Sequence, residues 1–429
     1  MSGAFRKDAG EARLLTAPFV LLGISELAYF SSVGVAFYTL PLYTTGPVGS
    51  NEAGAGLAFG AFGLTALLFR PFAGRLSDQR GRILLMVVGA LLAGVGMALF
   101  PFTDSLAAVV VLRLLQGIGE AAFYVAGFAL LADLAPPSRM GEALSYNSLG
   151  LYLGIALGPP LGEVLLEAWG YDAAWYGAAV LAGLAAVLAV AIREPEREQD
   201  DIGHGALIHR PAIAISLGFC SSLAAMGGFL AFATLYAEDL GMRNASLALL
   251  IYGGTVVVSR VVFARVPDRL PSLPLGATSL TAIGTGLLIA ATWQTSEGLV
   301  LGAVVMAVGM TFSTPAFFSA IFATAKPSER GAAAGTATAF MDVGLGFGPI
   351  ALGVVANSRG IPWAFAAAAG IVFVDPCRPL AVDGRRAAAR ECREQRRADP
   401  PRAQPSTGWC DDQRRRRDRR GRQVELDGG

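Results

Sequence analysis

Three carboxylates lie inside long apolar runs of this chain: Glu26 within residues 16–40, Glu120 within 107–130 and Asp342 within 332–356. In such a run a carboxylate must take up a proton, pair with a cation or face a water-filled cavity. Arg113 shares the run of Glu120, so one expected outcome is an Arg113–Glu120 pair. On a helix Arg113, Gln116, Gly117, Glu120 and Tyr124 share a face, and Glu26 shares another with Tyr29, Phe30, Val33 and Phe37. An acidic group beside aromatic rings suits an amphipathic or cationic ligand, and a dry carboxyl can exchange its proton for one. Glu26 therefore ranks first as a proton or cation site. Glu120 and Asp342, the latter flanked by Phe340 and Phe347, follow.

Polar groups elsewhere in apolar runs either line the same cavity or bond their own helix backbone. These are Asn147, Ser148 and Tyr152 in one run, and Thr311, Ser313 and Thr314 in another. No catalytic, metal or cofactor site is expected. The four cysteines lack metal-ligand spacing, and the only histidines, His204 and His209, read as solvated residues of a polar stretch. No phosphate-binding Gly-x-x-x-x-Gly-Lys-Ser/Thr loop is present, so ATP hydrolysis is not expected to supply energy.

The elements that must hold these groups are membrane spans. Only 16% of the 429 residues are charged, 54% are hydrophobic and mean hydropathy is +0.52, against about 25% charged in a soluble domain. Apolar runs fall at 16–40, 54–70, 83–102, 107–130, 142–165 and 173–192, then at 212–236, 246–264, 274–292, 298–322, 332–356 and a short 361–374. With the N-terminus inside, the inner segments before the tail hold sixteen Lys/Arg, Arg70 among them, and the outer loops two, Arg243 and Arg359. That asymmetry predicts cytoplasmic termini in a multi-pass plasma (inner) membrane protein. Residues 1–15 read as a cytosolic tail, 16–192 as a six-helix bundle, 193–211 as a cytosolic linker and 212–374 as a second bundle. Pro137, Ser138 and Gly141 recur 190 residues later as Pro327, Ser328 and Gly331. Gly154, Gly158 and Pro159 recur as Gly344, Gly348 and Pro349, and Asp78 as Asp268. The expected fold is thus all-α, two six-helix bundles related by a parallel repeat, with substrate bound where the halves meet.

Two motifs carry a resemblance. Residues 74–82 read Gly74-Arg75-Leu76-Ser77-Asp78-Gln79-Arg80-Gly81-Arg82, a tight turn in which Asp78 stands one turn before a helix N-terminus. This run resembles the Gly-x-Leu-x-Asp-x-x-Gly-Arg signature of the major facilitator superfamily. The resemblance implies that Asp78, Arg80 and Arg82, with Gly74 and Gly81, latch the halves and influence the inward/outward switch. The equivalent stretch Arg265–Arg269 is degenerate, lacking both glycines. Arg113-Leu114-Leu115-Gln116-Gly117 resembles the family's Arg-x-x-Gln-Gly motif, which implies a proton-coupling arginine. Gly154, Gly158, Pro159 and Gly162 allow close helix approach and resemble the Gly-x-x-x-Gly-Pro signature of drug:proton antiporters. The expectation is a monomeric twelve-helix secondary transporter in the lipid bilayer, exchanging protons for small amphipathic or cationic substrates by alternating access. Glu26, Arg113, Glu120 and Asp342 would couple protons, and Tyr29, Phe30, Gln116, Tyr124, Asn147 and Tyr152 would line the substrate cavity. A sugar or metabolite carrier and a transport-dead membrane sensor are the competing readings; neither an enzyme nor a nucleic-acid binder is expected.

The end of the chain changes character. Residues 1–375 carry 43 charges, about 11%, whereas residues 376–429 carry 24 of 54, fifteen of them arginine. A basic segment drawn to anionic headgroups is one reading. The favoured expectation is a reading-frame shift near Val374 that truncates the last helix and leaves 375–429 as a basic, disordered tail. Translating the other frames from codon 370 checks it, and finding no apolar continuation would exclude it.

Overall fold

The computed structural model describes residues 14–136, 139–193, 209–263, 266–325 and 329–374, and among them every regular element is helical. The first six membrane helices are α1 (Ala17–Thr45), α2 (Glu52–Arg80), α3 (Arg82–Leu99), α4 (Leu106–Leu134), α5 (Met140–Trp169) and α6 (Tyr171–Val190). The second set is α7 (Ile213–Asp239), α8 (Leu247–Val262), α10 (Ser272–Thr292), α11 (Ser296–Phe322), α12 (Arg330–Arg359) and α13 (Ile361–Phe373), with a single turn, α9 (Val266–Arg269), after α8. Ten of them are long and apolar enough to cross a bilayer; Leu247–Val262 and Ile361–Phe373 are shorter. At 1.5 Å per residue the 13 residues of α13 span about 20 Å, short of a hydrocarbon core of about 30 Å. Expectations for residues 1–13, most of the linker and the tail after Val374 lie outside the described residues.

The two sets pack alike. In the first, α1 lies on α5 and α6, α3 on α4 and α6, and α2 on α4; in the second, α7 lies on α12 and α13, α10 on α11 and α13, and α8 on α11. These are the same pairs displaced by one repeat, and the halves meet along α2 with α12 and α5 with α8. The glycines that recur at the 190-residue offset explain the likeness. A Cβ on Gly158 would lie 2.5 Å from the Cα of Gly34 on α1, and one on Gly348 would lie 2.6 Å from the Cα of Ala224 on α7. Neither approach leaves room for a side chain. Gly154 packs with equal closeness on Phe30 and Ser31, Gly162 reaches Val35 and Thr39, and Pro159 sits beside Gly34.

Two boundaries differ from expectation. The second span does not end at Arg70: α2 runs through Pro71 to Arg80, so Gly74 and Asp78 are helical and only Gly81, at φ +101°, makes the turn into α3. A proline removes one backbone donor, which a long membrane helix tolerates. His209 is not a solvated linker residue. It is buried, its backbone N–H donates to Thr336 Oγ1 at 2.9 Å, and its Nε2 lies 3.1 Å from Thr324 Oγ1, because the chain entering α7 folds back onto α11 and α12.

Candidate functional site

The continuation of α2 past residue 70 sets up the site, since it places Arg70 inside the membrane-spanning body instead of in a loop. Its guanidinium is largely buried and meets carboxylates from two helices. Nη2 lies 3.2 Å from Glu120 Oε1 on α4, and Nε lies 2.5 Å from Asp342 Oδ2 on α12, with a further Nη2–Oδ1 bond of 3.0 Å. The ring of Tyr124, one turn after Glu120, lies 4.9 Å beneath the guanidinium. Asp342 belongs to the second half and Arg70 and Glu120 to the first, so one cation joins the halves at the level of two acids. Phe347, expected beside Asp342, is exposed on the outer surface of α12.

This arrangement corrects the expected Arg113–Glu120 pair. Seven residues separate the two, two helical turns or about 10 Å of rise. Arg113 turns instead to α2 and its own helix, donating from Nε to Ala58 O at 3.1 Å and from Nη1 to Gln116 Oε1 at 2.7 Å, with Phe62 under its guanidinium at 4.5 Å. Gln116 is thereby committed. It is fully buried, its Nε2 lies 3.1 Å from Met97 Sδ on α3, and it fills the space opposite Gly96 instead of lining a cavity. Tyr29, also fully buried, stacks on Phe123 with ring centroids 4.0 Å apart.

Glu26 is buried where α1 faces α4 and α5. Asn147 of α5 hydrogen-bonds its carboxyl group, Gly127 of α4 leaves room for Oε1, and Oε2 has no hydrogen-bond partner. Phe30 stands edge-on to Tyr124, and Tyr124 lies within electrostatic reach of Arg70, Glu120, Glu26 and Tyr152. Glu26, Tyr124, Asn147 and Tyr152 are thus brought together with the Arg70 cluster, whereas Arg113, Gln116 and Tyr29 are packed away from it. Of the other polar groups, Thr311 bonds its own backbone at Ala307 O, Ser313 crosses to Ser222 of α7, and Ser148 and Tyr152 accept from Arg260 of α8.

The halves also meet beyond this cluster, away from the Asp78 loop. A Cβ on Gly60 would lie 2.1 Å from Gly346 O and one on Gly253 2.7 Å from Ala156, while Glu163 of α5 accepts from Ser246 Oγ at 2.5 Å and from Tyr38 at 3.3 Å. At the other end Asp78 pairs with Arg82, which also reaches Ser77 at 3.1 Å and Asp133 at 3.2 Å. These contacts tie α2 to α3 and α4 within the first half. Arg80 is exposed.

Two repeated six-helix sets meeting at a buried, ionisable interface define a membrane carrier. The Major Facilitator Superfamily profile matches residues 22–293, and the chain belongs to that superfamily; it is a multi-pass membrane transporter. A relative from Escherichia coli (strain K12), the uncharacterized MFS-type transporter YhhS, is 27% identical over 374 residues, covering 84% of this chain and 91% of that protein. Its counterpart in Salmonella typhimurium (strain LT2) is 27% identical over 377 residues, covering 83% and 90%. Among solved structures, a bacterial homologue of the human lysosomal transporter Spinster, inward-facing and occupied, superposes with a TM-score of 0.72 at 15% identity, covering 87% and 98% of the two chains. The nucleoside transporter NupG (D323A mutant) gives 0.67 at 15%, covering 83% and 97%. At these identities the likeness is one of fold.

Proposed function

We propose that this transporter is a proton-coupled antiporter that exports small amphipathic compounds, cationic ones included, across the plasma membrane, with both termini cytoplasmic. The observation that carries the reading is the Arg70 cluster. One cation is shared by a carboxylate of its own half and one of the other, so a proton bound by either acid changes the hold between halves. Proton uptake is thereby linked to the motion that alternating access requires. Glu26 is the proton-exchange site of this scheme: it is buried, one oxygen is unpartnered, and aromatic rings stand beside it. The basic Asp78 loop lies on the cytoplasmic side, which supports an inward-facing state, because the close approaches of α2 to α12 and α5 to α8 extend toward the opposite end. In this scheme Arg70 takes the coupling role that the motif resemblance gave to Arg113.

The test is proton release from proteoliposomes containing the full chain and a trapped pH dye, on addition of ethidium or 1-naphthoate. Wild type couples probe movement to proton flux, and Glu26→Gln abolishes that coupling. Transport by Glu26→Gln at the normal rate with unchanged pH dependence would remove Glu26 from the scheme. A cysteine at position 80 should react with an impermeant maleimide only in inverted vesicles, and labelling in intact cells would reverse the orientation.

A further inference from the structure

The repeat sets two arginines at equivalent positions, for Arg70 on α2 and Arg260 on α8 are 190 residues apart. Each reaches across to the other half, Arg70 to Asp342 and Arg260 to Tyr152, and these two partners are themselves 190 residues apart. The interfaces are alike in geometry and opposite in charge balance. Arg70 has two carboxylates. Arg260 has a phenol where the aspartate would stand, and the position equivalent to Glu120 is Met310.

Arg260 is held by neutral groups. Its Nη1 donates to Ser148 Oγ at 3.3 Å and its Nη2 to Tyr152 OH at 3.2 Å, and the Tyr152 ring lies 4.4 Å from the guanidinium carbon. Its buried Nε has no hydrogen-bond partner, and among the described residues no ion pair reaches it. A guanidinium cannot shed its charge and is costly in an apolar surround without a counter-ion. Its planar fork matches a carboxylate or sulfonate. The Tyr152 hydroxyl, accepting from Arg260, keeps its own proton to donate. Tyr152 also lies within electrostatic reach of Tyr124, so this cation borders the same interface as the Arg70 cluster.

We propose that Arg260, with Tyr152, binds the anionic group of an amphipathic organic substrate, supplying at this interface the ion pair that Asp342 supplies at the other. The proposal rests on the reading of the interface between halves as the substrate site. It narrows that reading to amphipathic acids and zwitterions.

The experiment measures binding of labelled 1-naphthoate and its neutral counterpart 1-naphthamide to the full chain in phosphatidylcholine nanodiscs. Wild type should prefer naphthoate. Arg260→Gln should weaken naphthoate at least tenfold and bring the naphthoate/naphthamide ratio near one, while Arg260→Lys keeps part of the preference. Tyr152→Phe should retain most of it. Tyr152→Asp, which installs the carboxylate found at the other interface, should abolish the preference with Arg260 still in place, and continued naphthamide binding reports a folded protein. Equal naphthoate affinity in wild type and Arg260→Gln, or no preference in wild type, overturns the proposal. So does an Arg260-dependent affinity for phosphatidylglycerol without one for naphthoate, which would assign the site to a lipid headgroup. Binding requires no turnover: Arg260-dependent binding by a protein that moves no protons would sink the antiport reading alone, and proton-coupled transport with unaltered Arg260→Gln binding would sink this one alone.

Discussion

Replacing Arg70 by methionine removes the cation and leaves the volume, stranding Glu120 and Asp342 against each other. Each lost contact, at 3.2 and 2.5 Å, is worth about 4–6 kcal/mol of attraction at an effective dielectric near 20, before desolvation is subtracted. Net of desolvation, removing one member of a buried ionic group costs about 3–5 kcal/mol. The loss should therefore fall in that range at pH 8. It should shrink at pH 5, since carboxyls that have taken up protons need no counter-ion. Asp342→Asn leaves Arg70 paired with Glu120 and a hydrogen-bonding amide in place, so it should cost about 1–2 kcal/mol. The triple variant Arg70→Met, Glu120→Gln, Asp342→Asn carries no stranded charge and should recover to within about 2 kcal/mol of wild type, yet show no proton coupling. The assay is unfolding in mixed micelles by SDS titration, followed by tryptophan fluorescence at both pH values. A triple variant as unstable as Arg70→Met, or an Arg70→Met deficit that does not depend on pH, would refute the ionic account of this contact.

Two further substitutions probe the frame around the site. Gly158→Val places a Cβ 2.5 Å from the Cα of Gly34. With backbone on both sides it cannot be relieved by a rotamer change, so the loss should exceed the 1–3 kcal/mol usual for overpacking, seen as loss of monodisperse protein. Asp78→Asn removes an exposed pair while Arg82 keeps Ser77 and Asp133. Stability should therefore change by less than about 1 kcal/mol while probe transport slows severalfold, and a large stability loss with normal transport would show the loop to be structural only.

How much of this was legible in sequence follows from the range of the interactions involved. Span count, the division into halves and the packing glycines depend on local composition and on one repeated offset, and α5 on α1 and α12 on α7 follow from them. The charge cluster depends on which side chains meet across helices, and there the local reading misled. Pro71 looked like the end of a span, so Arg70 was counted with the loop cations. Arg113, sharing a helix with Glu120, was the nearest cation in sequence but not in space. A signal was nevertheless present in the same offset that gave the glycines, because Arg70 and Arg260 match across it while Glu120 and Met310, and Asp342 and Tyr152, do not. A repeat copied for packing has no physical need to change a buried aspartate to a tyrosine across from an arginine, since the change leaves a cation without its charge partner. In a carrier built from two like halves, the positions that must agree hold the scaffold. Those that disagree in charge at the shared interface are where the two halves stop being interchangeable, and where a substrate must supply what one half lacks.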